Sequence, residues 1–327
     1  MEHKESSQII NVISFDGQLL SSFSKWGDKP DNYGKLLASL KIINKNSFFA
    51  LGTRGLFEFT FDGELMSSVK FSEIPLLGFS NIGMGDGMVD FNGGFIIENR
   101  ESTPKLKSGN AYYSSIKPLL FISSINNRIV PILKIPDSSI FLGGKWFFNN
   151  AWDPAYTVAE DQIIIGFGLE PKLYFFSHNE PISLINELSL DLPKYQYFKG
   201  ADEYSSDVNF FGQARTSGKI LNIKKVKDYF IVSYFPGFDA TDVEESLTNK
   251  SQEIAVEFWN DMKKKYPSRM AIVDSLGEVL NDFVPEGLEP STMLLRNGEL
   301  WMMEKPDDEI ENDYFRLYKV GIKVENK

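Results

Sequence analysis

The chain has 327 residues, 42% apolar and 14% aromatic, with 34 basic and 45 acidic side chains for a net charge of −11. An acidic balance argues against a nucleic-acid phosphate surface, which would need clustered Lys and Arg, so no nucleic-acid partner is expected. The absence of cysteine excludes disulfides, thiolate zinc sites, Fe–S clusters and a cysteine nucleophile.

No apolar run approaches the roughly 18–20 residues that a membrane helix needs, and 118–125 is among the longest. The opening residues 1–7 are polar and lack the apolar core of a signal peptide, so the start reads as that of a mature or truncated form. Phe and Tyr, 27 and 13 in number, favour strands.

The first predicted element is a strand pair, Gln8–Phe15 and Gln18–Ser24, joined at Asp16-Gly17. Asp-Gly between alternating runs marks a tight hairpin, because Gly accepts the positive φ that the turn requires. The stretch Phe15-Asp16-Gly17 returns at Phe61-Asp62-Gly63, and more loosely at Val273-Asp274-Ser275-Leu276-Gly277. A hairpin recurring after about 46 residues predicts a repeat of four-stranded units.

After a Gly/Pro/Asp loop (25–34), the first unit reads Ala38–Ile43, Ser47–Leu51, Leu56–Phe61 and Glu64–Phe71. A second has Gly87–Phe91, Gly94–Glu98, Pro118–Ser123 and Arg128–Ile135. A third has Thr157–Ala159, Gln162–Phe167, Lys172–Ser177 and Ile182–Leu190. A fourth has Ile220–Lys224, Tyr229–Tyr234, Arg269–Asp274 and Glu278–Phe283. The last has Thr292–Leu295, Glu299–Met303 and Tyr314–Val324, without an outer strand.

An incomplete last unit with two strands left over at the start is what ring closure requires, since it leaves no open edge. The expectation is a single all-β domain over 1–327: a β-propeller of four-stranded antiparallel blades, six in number, with five or seven open. One segment breaks the pattern. Residues 242–266 read as a helical insertion, acidic at its start (Asp242, Glu244, Glu245) and basic at its end (Lys263–Lys265), as the helix dipole favours. Ile254, Phe258 and Met262 form its apolar stripe, and Pro267 stops it.

The string from Phe15-Asp16-Gly17 through Trp26-Gly27-Asp28-Lys29-Pro30-Asp31 resembles the NHL and TolB-like six-bladed propellers. In those an Asp-Gly outer hairpin leads into a Gly-rich loop. The string is most similar to uncharacterised propeller lipoproteins of Bacteroidetes, whose loop is richer in Gly; here Asp28 and Asp31 depart from that pattern. The resemblance covers the first two units. It implies a periplasmic or cell-surface protein with a lipid anchor outside the given sequence, and it implies no one function, since propellers host enzymes and binding modules alike.

Within each unit the a–b and c–d turns are tight, whereas the b–c and d–a connections are long, as in 99–115, 136–156, 192–219 and 235–267. Long loops on one side of a rigid scaffold are where binding sites concentrate. The candidate ligand-binding residues on them are Trp146, Asn149, Asn150, Trp152, Asp153 and Tyr156, with Arg100, Tyr112, Arg215 and Phe238. Aromatic rings beside amides and carboxylates suit stacking on sugars or anchoring a protein; the plainer alternative is that the rings pack the loops onto one another.

The only histidines are His3, in the tail, and His178, in a short c–d hairpin on the face opposite the long loops, so neither is well placed to serve a Ser-His-Asp triad. No cofactor is expected, though an oxygen-ligated Ca²⁺ is compatible with Asp86, Asp90, Asn149, Asn150, Asp153, Asp207 and Asn209. Gly83-Met84-Gly85-Asp86-Gly87 lacks the Lys-Ser/Thr of a phosphate loop and reads as a linker between blades. The leading expectation is a non-catalytic extracytoplasmic binding or scaffold propeller engaging a glycan, peptide or protein. Its rivals are a Ca²⁺-dependent hydrolase, lactonase or lyase at the channel mouth, and a structural part of an envelope complex docked through 242–266.

Overall fold

The computed structural model describes residues 9–71, 84, 87–99, 109–204, 208–248, 250–306 and 315–323. The Asp-Gly hairpins form as their chemistry dictates. Gly17, Gly63 and Gly277 have φ of +87°, +82° and +91°. In each hairpin the residue three before the glycine accepts the glycine N–H on its carbonyl, at Ser14, Thr60 and Asp274. The side-chain oxygen of that same residue then accepts the next N–H: Gln18 to Ser14 Oγ (3.0 Å), Glu64 to Thr60 Oγ1 (3.1 Å) and Glu278 to Asp274 Oδ1 (2.9 Å). A register shift follows in all three strand pairs, the mark of a bulged hairpin.

These hairpins are parts of antiparallel sheets. β1 (Ile9–Ile13) and β2 (Leu19–Ser24) pair with each other. The first four-stranded blade comprises β3 (Lys41–Ile42), β4 (Ser47–Gly52), β5 (Gly55–Thr60) and β6 (Leu65–Lys70). The second comprises β7 (Val89–Phe91), β8 (Gly94–Glu98), β9 (Leu119–Ser123) and β10 (Ile129–Ile132). The third has β11 (Pro154–Ala159), β12 (Gln162–Phe167), β13 (Lys172–Ser177) and β14 (Leu184–Ser189). The fourth has β15 (Lys219–Val226), β16 (Tyr229–Phe235), β17 (Arg269–Val273) and β18 (Val279–Phe283). The fifth is three-stranded, with β19 (Leu294–Arg296), β20 (Glu299–Met303) and β21 (Leu317–Val320). This is an all-β propeller fold with four-stranded antiparallel blades.

The count is five blades, which corrects the expectation of six. That expectation counted the N-terminal strand pair as an irregular sixth blade. Among the described residues, β1 and β2 form a sheet of their own, and Ile10 and Phe23 lie on the Phe48, Phe57 and Phe59 side chains of the first blade. The middle strands are covered on both faces and read as unbroken apolar runs, such as Ile163–Ile165 in β12. The outermost strands β6 and β14 are largely exposed and carry Ser, Asn, Glu and Lys.

The described residues group into two compact units, one holding β1–β10 and the other residues 109–118 and 133 onward. The first unit has two apolar clusters, around Phe48, Phe57 and Phe59 and around Leu51, Leu56, Phe95 and Leu120. The second is built on Ile164, Leu173, Ile223, Val232 and Ala271, with a further cluster around Met293 and Met302.

The helical insertion opens earlier than its charge pattern indicates and divides in two. With α1 (Gly109–Ser115) and α2 (Val208–Thr216) preceding them, its helices are α3 (Ala240–Ser246) and α4 (Gln252–Lys265). Two N-caps explain the division: Asp239 accepts from the Asp242 N–H at 3.0 Å and Ser251 from the Ile254 N–H at 3.5 Å. Phe258 and Met262 of the stripe are buried against Phe238 and Phe235, while Ile254 is exposed. The stripe is therefore mostly spent in holding the insertion.

Candidate functional site

The second unit carries the long connections: α1 between β8 and β9, residues 133–153 before β11, 190–218 before β15, and 236–268 between β16 and β17. The opposite strand ends close tightly, with positive φ at Glu160 and Asp161, at Lys227, and at Asn297 and Gly298.

Within the first three of those connections a continuous set of aromatic side chains runs from Phe141 through Phe147 and Phe198 to Phe210. A 3₁₀ turn, Ile140–Leu142, places Phe141 with its ring centre 4.7 Å from that of Phe147. Tyr113 of α1 packs edge-on to Phe147 at 5.7 Å, and its hydroxyl accepts the Phe147 N–H at 3.0 Å. Burial pushes the Tyr113 hydroxyl up to about 12. Phe198 joins Phe147 (6.0 Å), Phe148 (6.1 Å) and Phe210 (5.7 Å).

Phe141, Phe147, Phe148 and Tyr113 are all buried, and they make the bed of the site. On this bed lie less buried rings. Trp152 is half-buried and edge-on to Tyr112 at 5.6 Å. Trp146, also half-buried, lies 5.4 Å from the exposed Tyr204 and is held by a two-way backbone bridge to Ala201. Between the two tryptophans, Asn149 and Asn150 are exposed, with Asn150 at φ +64°.

Polar groups converge beside the rings at one junction, Gly168. Its N–H donates to the Asp153 carbonyl (3.1 Å), and its own carbonyl accepts from the Ile220 N–H (2.9 Å). Asp153, just before β11, and Lys219, the first residue of β15, are thereby fixed on either side of it. A Cβ on Gly168 would stand 2.0 Å from the Ala151 carbonyl oxygen, so only glycine allows this approach. Tyr195 closes the junction by donating to the Leu169 carbonyl at 3.1 Å.

The Lys219 ammonium lies 5.1 Å from the centre of the Phe148 ring. Burial pulls it below the usual lysine range, and the nearby Asp153 charge opposes that. The adjoining Glu170 is buried, accepting from the Ser139 and Tyr174 hydroxyls and from the Ile140 N–H (3.2 Å). Burial raises its carboxyl above the usual range although these donors pull the other way. It ties the 3₁₀ turn to the third blade.

A second assembly holds the insertion. The Arg215 guanidinium stacks 3.6 Å from the centre of the Trp259 ring. Phe238 is buried between Tyr266 (4.6 Å), Phe235 (5.9 Å) and Trp259 (6.0 Å).

The structure thus brings Trp146, Asn149, Asn150, Trp152, Asp153 and Tyr112 into one loop assembly. Tyr156 is half-buried on β11, opposite Ile165, and Arg215 and Phe238 belong to the insertion. Arg100 lies outside the described residues, as do Asp86 and Asp207 and the side chain of Asn209. Asp90, another candidate calcium donor, lies in the first unit and pairs with Lys41 at 2.7 Å. Among the described residues no three His, Cys, Asp or Glu side chains form a group that could hold a metal ion, and no helix is long and apolar enough to cross a membrane. Sequence reasoning missed Lys219 and Glu170. The only signal for either was a charged residue bordering a run of core strand residues.

No family model matches the chain, and no curated protein matches its sequence. Among solved structures, a member of the DUF4221 family from Bacteroides vulgatus is similar in fold, with a TM-score of 0.60 and 10% identity over 93% of this chain and 84% of that one. A protein of unknown function from Bacteroides caccae aligns at a TM-score of 0.44 and 12% identity, covering 86% of this chain and 76% of its own. BamB from Moraxella catarrhalis aligns at 0.36 and 10% identity, covering 88% and 72%. The first of these likenesses shows the fold this chain shares with other proteins, and the fold alone.

Proposed function

We propose that this protein is a non-catalytic binding propeller of the cell envelope whose long loops in the second unit engage a ring-bearing ligand, a glycan before a peptide or protein. One observation carries the reading. Half-buried Trp152 and Tyr112 pack on buried Tyr113, half-buried Trp146 joins the same aromatic set through Tyr204, Phe210 and Phe198, and Asn149 and Asn150, between the tryptophans in sequence, are exposed. Rings braced from below lose little freedom on binding, and amides at their margin supply hydrogen bonds to hydroxyl groups. The cell-envelope location, and a lipid anchor, rest on the resemblance to propeller lipoproteins.

The test is a glycan and peptide array probed with the wild-type protein and with Trp146→Ala/Trp152→Ala. Binding by the wild type that falls at least about tenfold in a folded double variant is expected, since buried aromatic anchors carry roughly 2 kcal/mol or more each. Undiminished binding in the double variant would remove this cluster from the site.

A further inference from the structure

We propose that Lys219 reads charge for the aromatic platform, and that the glycan bound there is acidic, bearing a carboxylate or sulfate group. This rests on the glycan-binding reading above and adds the ligand's charge to it.

Lysines of the second unit satisfy their ammonium groups in several ways. Lys172 meets Glu187 at 3.1 Å, Lys265 meets Asp242 at 2.6 Å, and Lys145, Lys225 and Lys319 each contact a carboxylate. Lys224 bonds Asn222 Oδ1 at 2.6 Å, Lys199 lies over the Tyr197 ring at 5.5 Å, and Lys219 is of this last, ring-facing kind. Its ammonium makes no hydrogen bond or ion pair with any described residue; it is half-buried and faces the Phe148 ring. The Asp153 charge acts on it through space. Its three N–H donors therefore meet no acceptor among the described residues, beside the Phe148 ring of the bed.

Its position is also fixed from both sides. The preceding Gly218 N–H donates to the Gln196 carbonyl at 2.6 Å, and the following Ile220 N–H donates to Gly168. A Cβ on Gly218 would come within 2.7 Å of the Gln196 carbonyl oxygen. A cation held in place, short of partners and partly withdrawn from water has lost solvation that an incoming oxyanion can replace. Rings orient a sugar but do not distinguish a neutral one from an acidic one. An ammonium beside them does.

The experiment is calorimetric titration of the full chain with trigalacturonate, with galactotriose as its neutral counterpart, and with galactose 6-sulfate. Trigalacturonate should bind roughly tenfold or more tightly than galactotriose at low salt, the size of one charge-assisted hydrogen bond. The gap should narrow as salt is raised. Lys219→Gln should abolish the preference while leaving the melting temperature in place, and Lys219→Arg should restore most of it. Tighter binding of galactose 6-sulfate than of trigalacturonate would also support the inference and identify sulfate as the group read. Equal affinity for the acidic and neutral trisaccharides, or a preference that survives in Lys219→Gln, would overturn the inference and leave the glycan reading intact. Binding of none of the three sugars, with a positive result on peptides, would overturn both.

Discussion

Two glycines with nearly the same backbone angle should respond differently to one added methyl group. Gly17 and Gly63 occupy equivalent turns in the first unit at φ +87° and +82°. Either alanine substitution forces an L-residue into the left-handed region, at about 1 kcal/mol. At Gly17 nothing lies within 4 Å of the new Cβ. At Gly63 the Cβ would stand 2.8 Å from two carbons of the Phe23 ring and 3.0 Å from a third. That ring cannot withdraw freely, because it packs in the Phe48, Phe57 and Phe59 cluster, 6.3 Å from Phe48. Overpacking of this kind costs a further ~1–2 kcal/mol. Urea unfolding followed by circular dichroism should give losses of about 1 kcal/mol for Gly17→Ala and about 2–3 kcal/mol for Gly63→Ala. Equal losses would refute the packing argument. No loss in either variant would refute the turn geometry itself.

Other expectations are as concrete. Glu170→Ala should cost about 3 kcal/mol, since it strands the Ser139 and Tyr174 hydroxyls in the interior. Because burial holds the Glu170 carboxyl above the usual range, its stabilising contribution is complete below the unfolded value of about 4.3 and is lost as pH rises through the folded one. The stability of wild type minus Glu170→Gln should therefore decrease from about pH 4 towards neutrality; an increase would contradict the assignment. Arg215→Ala should loosen the insertion by about 0.5–1 kcal/mol through loss of the Trp259 stack, read as faster proteolysis within 240–265, and an unchanged rate would count against that role. A melting temperature indifferent to Ca²⁺ and EDTA is expected of a non-catalytic binder, whereas a rise of several degrees with calcium would bring the calcium-dependent hydrolase forward.

The blades were legible in the sequence because their determinants are local. An Asp or Asn beside a Gly specifies a turn from a few residues, and the flanking alternation specifies what the turn joins. The fate of β1 and β2 is not local: both the last blade and the first offer apolar surface, and the sequence does not say which of them Ile10 and Phe23 will meet. The same distinction governs the site. The density of Trp146, Phe147, Phe148 and Trp152 is visible in a single window, whereas Lys219 meets Phe148 only after two connections have folded back on Gly168. Glu170 reads as an ordinary turn residue until the Ser139 turn closes over it. The short helices α1 and α2 give too few turns for a period to emerge.

The three bulged hairpins carry a broader consequence. Ser14, Thr60 and Asp274 supply the same acceptor with different side chains, so the constraint is a grammar of two positions: an oxygen-bearing residue, then a glycine three places on. Such a rule leaves almost every other position free to change, provided the inner strands remain apolar. A lineage bound by it can conserve blade after blade while its wording drifts beyond recognition. The 10% identity at which a similar fold aligns over 93% of the chain shows how little wording that fold needs to share.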